Sequence, residues 1–101
     1  MKIEKLNDLG LIKLPEERLK FGYLAGTNVE ISIESEKIIL TKTEKSIDFE
    51  DKNSLICNID ELGRVHIRSE LREKLFFKHG DNIQFEINND SIIMAKFSAQ
   101  N

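Results

Sequence analysis

The chain is poor in the residues that usually announce a chemistry: among 101 residues it has one cysteine, one proline, one tyrosine, two histidines and no tryptophan. A single cysteine, Cys57, excludes an intrachain disulfide, and its place in a strand-like run predicts a small buried hydrophobe rather than a nucleophile. No apolar run approaches the roughly 20 residues that span a bilayer. The opening Met1-Lys2-Ile3-Glu4-Lys5 is charged where a signal segment is apolar, so a cytoplasmic protein with no membrane contact is expected. Positive charge is not in excess either. Fifteen lysines and arginines face 18 acids, for a net charge of −3, which is not the usual electrostatic footprint of a nucleic-acid binder. Residues 1–43 balance to zero, 44–53 carry −2 and the remainder −1. The chain also lacks a glycine-rich phosphate loop and any spaced serine, histidine and acid arrangement. The acid pairs Glu16-Glu17 and Asp60-Glu61 have a sufficient role at helix starts and turns. His66, His79 and Cys57 make no zinc spacing. No enzyme, no cofactor and no metal are therefore expected.

What the chain does contain is itself, twice. Residues Ile3 to Thr43 and Ile56 to Phe97 overlay with a single one-residue gap. Leu9-Gly10-Leu11-Ile12-Lys13-Leu14 answers to Leu62-Gly63-Arg64-Val65-His66-Ile67. Ala25-Gly26-Thr27-Asn28-Val29-Glu30-Ile31 answers to His79-Gly80-Asp81-Asn82-Ile83-Gln84-Phe85, and Lys37-Ile38-Ile39-Leu40-Thr41-Lys42 to Ser91-Ile92-Ile93-Met94-Ala95-Lys96. Internal repetition outranks any local motif as a clue to architecture. A unit of about 40 residues buries too little to stand alone. Residues 1–43 and 54–101 are thus expected to complete one pseudo-symmetric domain, joined by a polar linker at 44–53 whose apolar residues are Ile47 and Phe49.

Each repeat reads strand, turn, strand, short helix, strand, turn, strand. Val29, Ile31 and Ile33 alternate with polar residues, as do Ile83, Phe85 and Ile87, the period of a half-buried strand. Glu34-Ser35-Glu36 and Asn88-Asn89-Asp90 break the chain before the last strands, Lys37 to Thr43 and Ser91 to Phe97. Asn7-Asp8-Leu9-Gly10 and Asp60-Glu61-Leu62-Gly63 are turn chemistry. Pro15 suits a first helical position with Glu16 and Glu17 behind it, Ser69 and Glu70 open the second helix, and Leu71 and Leu75 share a helix face.

Asp60-Glu61-Leu62-Gly63-Arg64-Val65-His66-Ile67-Arg68-Ser69-Glu70-Leu71-Arg72, followed by Gly80-Asp81 and Ile92-Ile93-Met94-Ala95-Lys96, resembles the AbrB/SpoVT/MazE swapped-hairpin family, whose signature runs D-E-L-G-R-V-V-I-P-x-E-L-R-R, then a G-D turn and an I-I-L-K-K end. The likeness recurs in the first repeat through Pro15, Glu17 and Arg18. It implies a mainly β, swapped-hairpin barrel of two ββαββ units, each with one short helix, and a cytoplasmic transcription regulator whose partner is double-stranded DNA. Carried over residue by residue, Arg64 matches the arginine after the turn glycine and Arg72 the first helix arginine. Arg18 is the helix arginine of the first copy. Arg68 stands where the family has proline, with Lys74 beyond; Lys13 and Lys20 flank Arg18. Guanidinium groups suit this role because they bind phosphate or guanine edges bidentately. The chain departs from the pattern at Leu11 and Glu73, which replace arginines, and at Glu4 and Cys57, where the family often has a basic residue.

The competing expectation is a protein-interaction module, either degenerate in DNA binding or antitoxin-like with a toxin as partner; the acidic balance and missing arginines favour it. A third is assembly through exposed strand edges. Closure of the two repeats within one chain is preferred over exchange between chains on effective concentration. Both are open sterically, because ten extended residues reach about 33 Å. A further homodimer is also open.

Overall fold

The computed structural model describes residues 2–47 and 55–97. The order of elements is β1 (Lys2–Lys5), β2 (Leu11–Lys13), a 3-10 helix (Glu16–Phe21), β3 (Asn28–Glu34), β4 (Lys37–Lys42), β5 (Ile56–Asn58), β6 (Arg64–His66), α1 (Ser69–Lys74), β7 (Asn82–Ile87) and β8 (Ile92–Lys96). The fold is mainly β. Six strands form one antiparallel sheet in the order β1-β7-β8-β4-β3-β5, and β2 and β6 form a separate two-stranded ribbon. β3–β4 and β7–β8 are the hairpins the alternating pattern anticipates, and they lie side by side through β4 and β8.

The opening strands do not pair with their own hairpins. β1 of the first repeat lies on β7 of the second, Glu4 opposite Ile83, and β5 of the second lies on β3 of the first, Cys57 opposite Val29. β2 and β6 then pair with each other. Every ladder except the two hairpins joins one repeat to the other, so neither half retains its sheet alone. A closed barrel was expected, but the large sheet is open, with β1 and β5 at its edges. Each edge strand turns into the ribbon instead: the amide of Asn7 donates to Leu11 O at 3.0 Å and that of Asp60 to Arg64 O at 2.9 Å.

Alternation puts Val29, Ile31, Ile83 and Phe85 inside, and Ile38, Leu40, Ile92 and Met94 join them from the neighbouring strands. Ile12 and Val65, opposite each other at the centre of the ribbon, are fully enclosed. Leu71 and Leu75 seat α1 on this core, as their spacing predicts. Each such side chain contributes about 1.5–3 kcal/mol by leaving water. Tyr23, also buried, spans the halves by donating its hydroxyl to Asn88 O at 3.0 Å.

The two helices differ, and the one-residue gap explains why. Arg18 Nη1 reaches Leu14 O across four residues, while Arg72 Nε reaches Ile67 O across five. The next landmarks agree again, Tyr23 N to Arg18 O and Phe77 N to Arg72 O. The missing residue therefore falls inside the first helix. Three residues of 3-10 helix rise about 6 Å, as do four of α-helix, so the tighter winding lets the shorter segment span the same distance. Pro15 stands just before the helix rather than in its first turn, with φ −58°, and Arg68 holds nearly the same backbone at φ −62° without a ring.

Of the connector, Lys45 is tied to β3 through its carbonyl, which accepts from Asn28 Nδ2 at 3.1 Å, and through Glu30 at 3.6 Å. Phe49 and the rest of 48–53 lie outside the described residues. Cys57 is half-buried against the core, and burial pushes its thiol up to about 11. At neutral pH it stays protonated, consistent with an inert small hydrophobe. No helix among the described residues is long and apolar enough to cross a membrane.

Candidate nucleic-acid interface

The ribbon gathers cations that are distant in sequence. With Ile12 and Val65 turned inward, the period of two turns Leu11, Lys13, Arg64 and His66 to the other face. Register then sets Lys13 directly opposite Arg64 and Leu11 directly opposite His66. One end of a three-residue ribbon thus carries two cations and the other an aliphatic side chain and a histidine, about 7 Å away.

Like charges directly opposite on a ladder repel, and a nearby anion offsets this. Asp60 supplies one. Its Oδ2 accepts from Arg64 Nε at 2.8 Å, and its Oδ1 accepts the amides of Leu62 and Arg64 at 2.9 and 2.8 Å. Burial acts to raise the Asp60 pKa, but these donors and the Arg64 charge outweigh it and hold the carboxyl below its usual value. Asn7 builds the same turn without charge, its Oδ1 accepting the amides of Leu9 and Leu11 at 2.9 and 2.8 Å. Asp60 engages Arg64 only at Nε. With 36% of the side chain exposed and no Nη partner among the described residues, these donors can take an acceptor from outside.

The other candidates fall into distinct environments. Arg18 is buried, with 8% exposure. Its Nη1 makes two long hydrogen bonds, 3.4 Å each, to Leu14 O and Pro15 O, and its Nε has no partner among the described residues. Its guanidinium lies against Gly63 of the second repeat, where a Cβ would stand 2.5 Å from Nη2. Arg72 is half-buried, its guanidinium against Gly10 of the first repeat. The two helix arginines therefore go to opposite ends of the ribbon: Arg18 joins Lys13 and Arg64, while Arg72 goes to the end of Leu11 and His66. Arg68 stands 3.6 Å from Glu70. Lys13, Lys20 and Lys74 are exposed.

Two grooves flank the ribbon at equivalent places. Lys2, Glu4, Lys13, Glu16 and Glu17 line the one beside the first helix, and Ile31, Leu55, Ile56, Cys57, His66 and Arg68 line the other. One is charged and the other largely apolar. Sequence reasoning named Lys13 and Arg64 separately but missed their pairing and the role of Asp60. The signal available was the matched position of Asn7 and Asp60, each three residues before its glycine.

No family model, no curated protein and no solved structure matches this chain.

Proposed function

We propose that this protein is a DNA-binding transcriptional regulator of the AbrB type, which docks on duplex DNA through the ribbon end where Lys13 and Arg64 meet. On this reading the crossed pairing of the opening strands is the swapped-hairpin topology within one chain, with the large sheet and the ribbon as two walls of a barrel. The observation that carries the reading is the cross-strand placement of Lys13 opposite Arg64. A phosphate seated between the ammonium and the Nη donors would relieve their repulsion and receive charge-assisted hydrogen bonds. Arg72, Arg68, Lys74 and Lys20 are flanking phosphate contacts, and sequence is read mainly through DNA shape. Because Leu11 stands at one end where Arg64 stands at the other, the two ends of the ribbon are unequal in charge and the protein sits on the duplex in one direction.

The test is a fluorescence-anisotropy titration against mixed-sequence duplex at low salt. Lys13→Ala and Arg64→Ala each weaken binding by about three- to tenfold and lower the slope of log affinity against log salt by about one. Absence of binding, or binding indifferent to Arg64→Ala, rejects the reading.

The apolar groove of Leu55, Ile56 and Cys57 favours a second reading, a protein-interaction module. A chain that binds no duplex, and whose solution mass exceeds the monomer until Leu55→Glu is introduced, follows that reading instead.

A further inference from the structure

Arg18 and Arg72 occupy equivalent positions, and their contacts are reciprocal. Each guanidinium hydrogen-bonds the carbonyl just past its own repeat's second strand, Leu14 O or Ile67 O. Each then lies against the turn glycine of the other repeat, Gly63 or Gly10. The same two glycines bond across the repeats through their carbonyls, Gly63 O accepting Leu14 N and Gly10 O accepting Ile67 N, both at 2.8 Å.

Arg18 is enclosed more deeply than the other arginines, and among the described residues no carboxylate pairs with it. A buried cation without a counter-ion is costly, and this one is too enclosed to make a phosphate contact its main role. What it does reach is the turn that launches Arg64. In that turn Gly63 N donates to Asp60 O at 2.9 Å, Asp60 Oδ1 holds the next amides, and the Arg18 guanidinium closes the remaining side against the Gly63 backbone.

We infer that Arg18 is a positioning residue, one half of a reciprocal arginine clasp between the repeats, which fixes the Asp60–Gly63 turn and so the direction in which Arg64 leaves it, without itself touching nucleic acid. The clasp stands on geometry alone. Its consequence for Arg64 rests on the DNA-binding reading.

Amide hydrogen exchange on the full chain tests the clasp without DNA. In Arg18→Met and Arg18→Lys the Leu14 amide exchanges about tenfold faster, while the Ile67 amide, which lies under Arg72, stays within about twofold. Arg72→Met does the reverse, and it carries the test if the Arg18 variants do not fold. No change at the clasped amide, or equal acceleration at both, overturns the clasp. The duplex titration tests the consequence. Lysine keeps the charge but loses the planar fork. Arg18→Lys is therefore expected to lose as much binding as Arg18→Met, about three- to tenfold, and neither loses more when Arg64 is already alanine. Rescue by lysine, or additive losses, would mean a direct phosphate contact and overturn the positioning role. If the unaltered protein binds no duplex, the DNA reading and the positioning consequence fall together, and the exchange result still decides the clasp.

Discussion

At the Gly63 end of the ribbon, Asp60 orders the turn, Arg64 emerges from it, Lys13 stands across the ladder and Arg18 closes the turn from the other repeat. At the Gly10 end, Asn7 does the work of Asp60, Leu11 stands in place of Arg64, His66 in place of Lys13 and Arg72 in place of Arg18. The backbone solution is the same at both ends and the surface chemistry is not. The reason is that each half completes its sheet with strands of the other, so turn, register and clasp answer to a shared core. The outward side chains answer to nothing inside the molecule and are free to diverge.

The sharpest way to break the equivalence is at the two glycines. Both hold φ near +80°, where a side chain costs about 1–2 kcal/mol of strain. An added Cβ at Gly10 would meet Ile67 O at 2.7 Å, a backbone atom that cannot yield, whereas at Gly63 it would meet the flexible end of Arg18. Gly10→Ala is expected to destabilise by about 3–4 kcal/mol in urea unfolding and Gly63→Ala by about 2 kcal/mol. Equal losses would mean that the two clasps are not built as described.

Periodic, local features were legible in advance. The alternation at Val29 and Ile31 and at Ile83 and Phe85, and the Leu71 and Leu75 face, point inward as expected, because burial on one face imprints a period on the sequence. What escaped depends on contacts between distant residues. The charged Lys2–Lys5 says nothing of its partner β7. The gap was visible, but its conversion into 3-10 winding was not, since that follows from where Leu14 O and Tyr23 N must end up. The division of the strands into a large sheet and a separate ribbon rests on such contacts too. At the candidate site, Arg64 and Lys13 were each visible by residue type, but their pairing needs the ladder register. Arg18 reads as a surface cation until the opposite turn covers it.

Leu11→Arg would give each end of the ribbon an arginine after its turn glycine. It places a guanidinium opposite His66 and beside Asn7, whose side-chain amide stands where Asp60 offers a carboxylate at the other end. With one more cation on the face, duplex affinity is expected to rise about tenfold at low salt and the salt slope to steepen by about one. The increase is expected to vanish near physiological salt if the new contact is purely electrostatic. An unchanged slope would place the DNA-binding surface away from the ribbon and undo the comparison on which the proposed function depends.

The smallest effect is expected where the helices end, and its sign is favourable. The first helix closes on Gly22 at φ 82°, but the second repeat sets Phe76 at the equivalent place with φ 59° and leaves it 72% exposed. Phenylalanine in the left-handed region is strained by about 1–2 kcal/mol, and the exposed ring recovers little by burial. The backbone bonds there, Phe76 N to Glu73 O at 3.2 Å and Lys96 Nζ to Phe76 O at 2.9 Å, need no side chain. Phe76→Gly is thus expected to stabilise the protein by about 1 kcal/mol, raising the urea midpoint, despite the greater freedom of glycine in the unfolded chain. A loss of stability would show that the ring packs more productively than its exposure indicates. A gain accompanied by weaker duplex binding would instead give Phe76 a place on the interface.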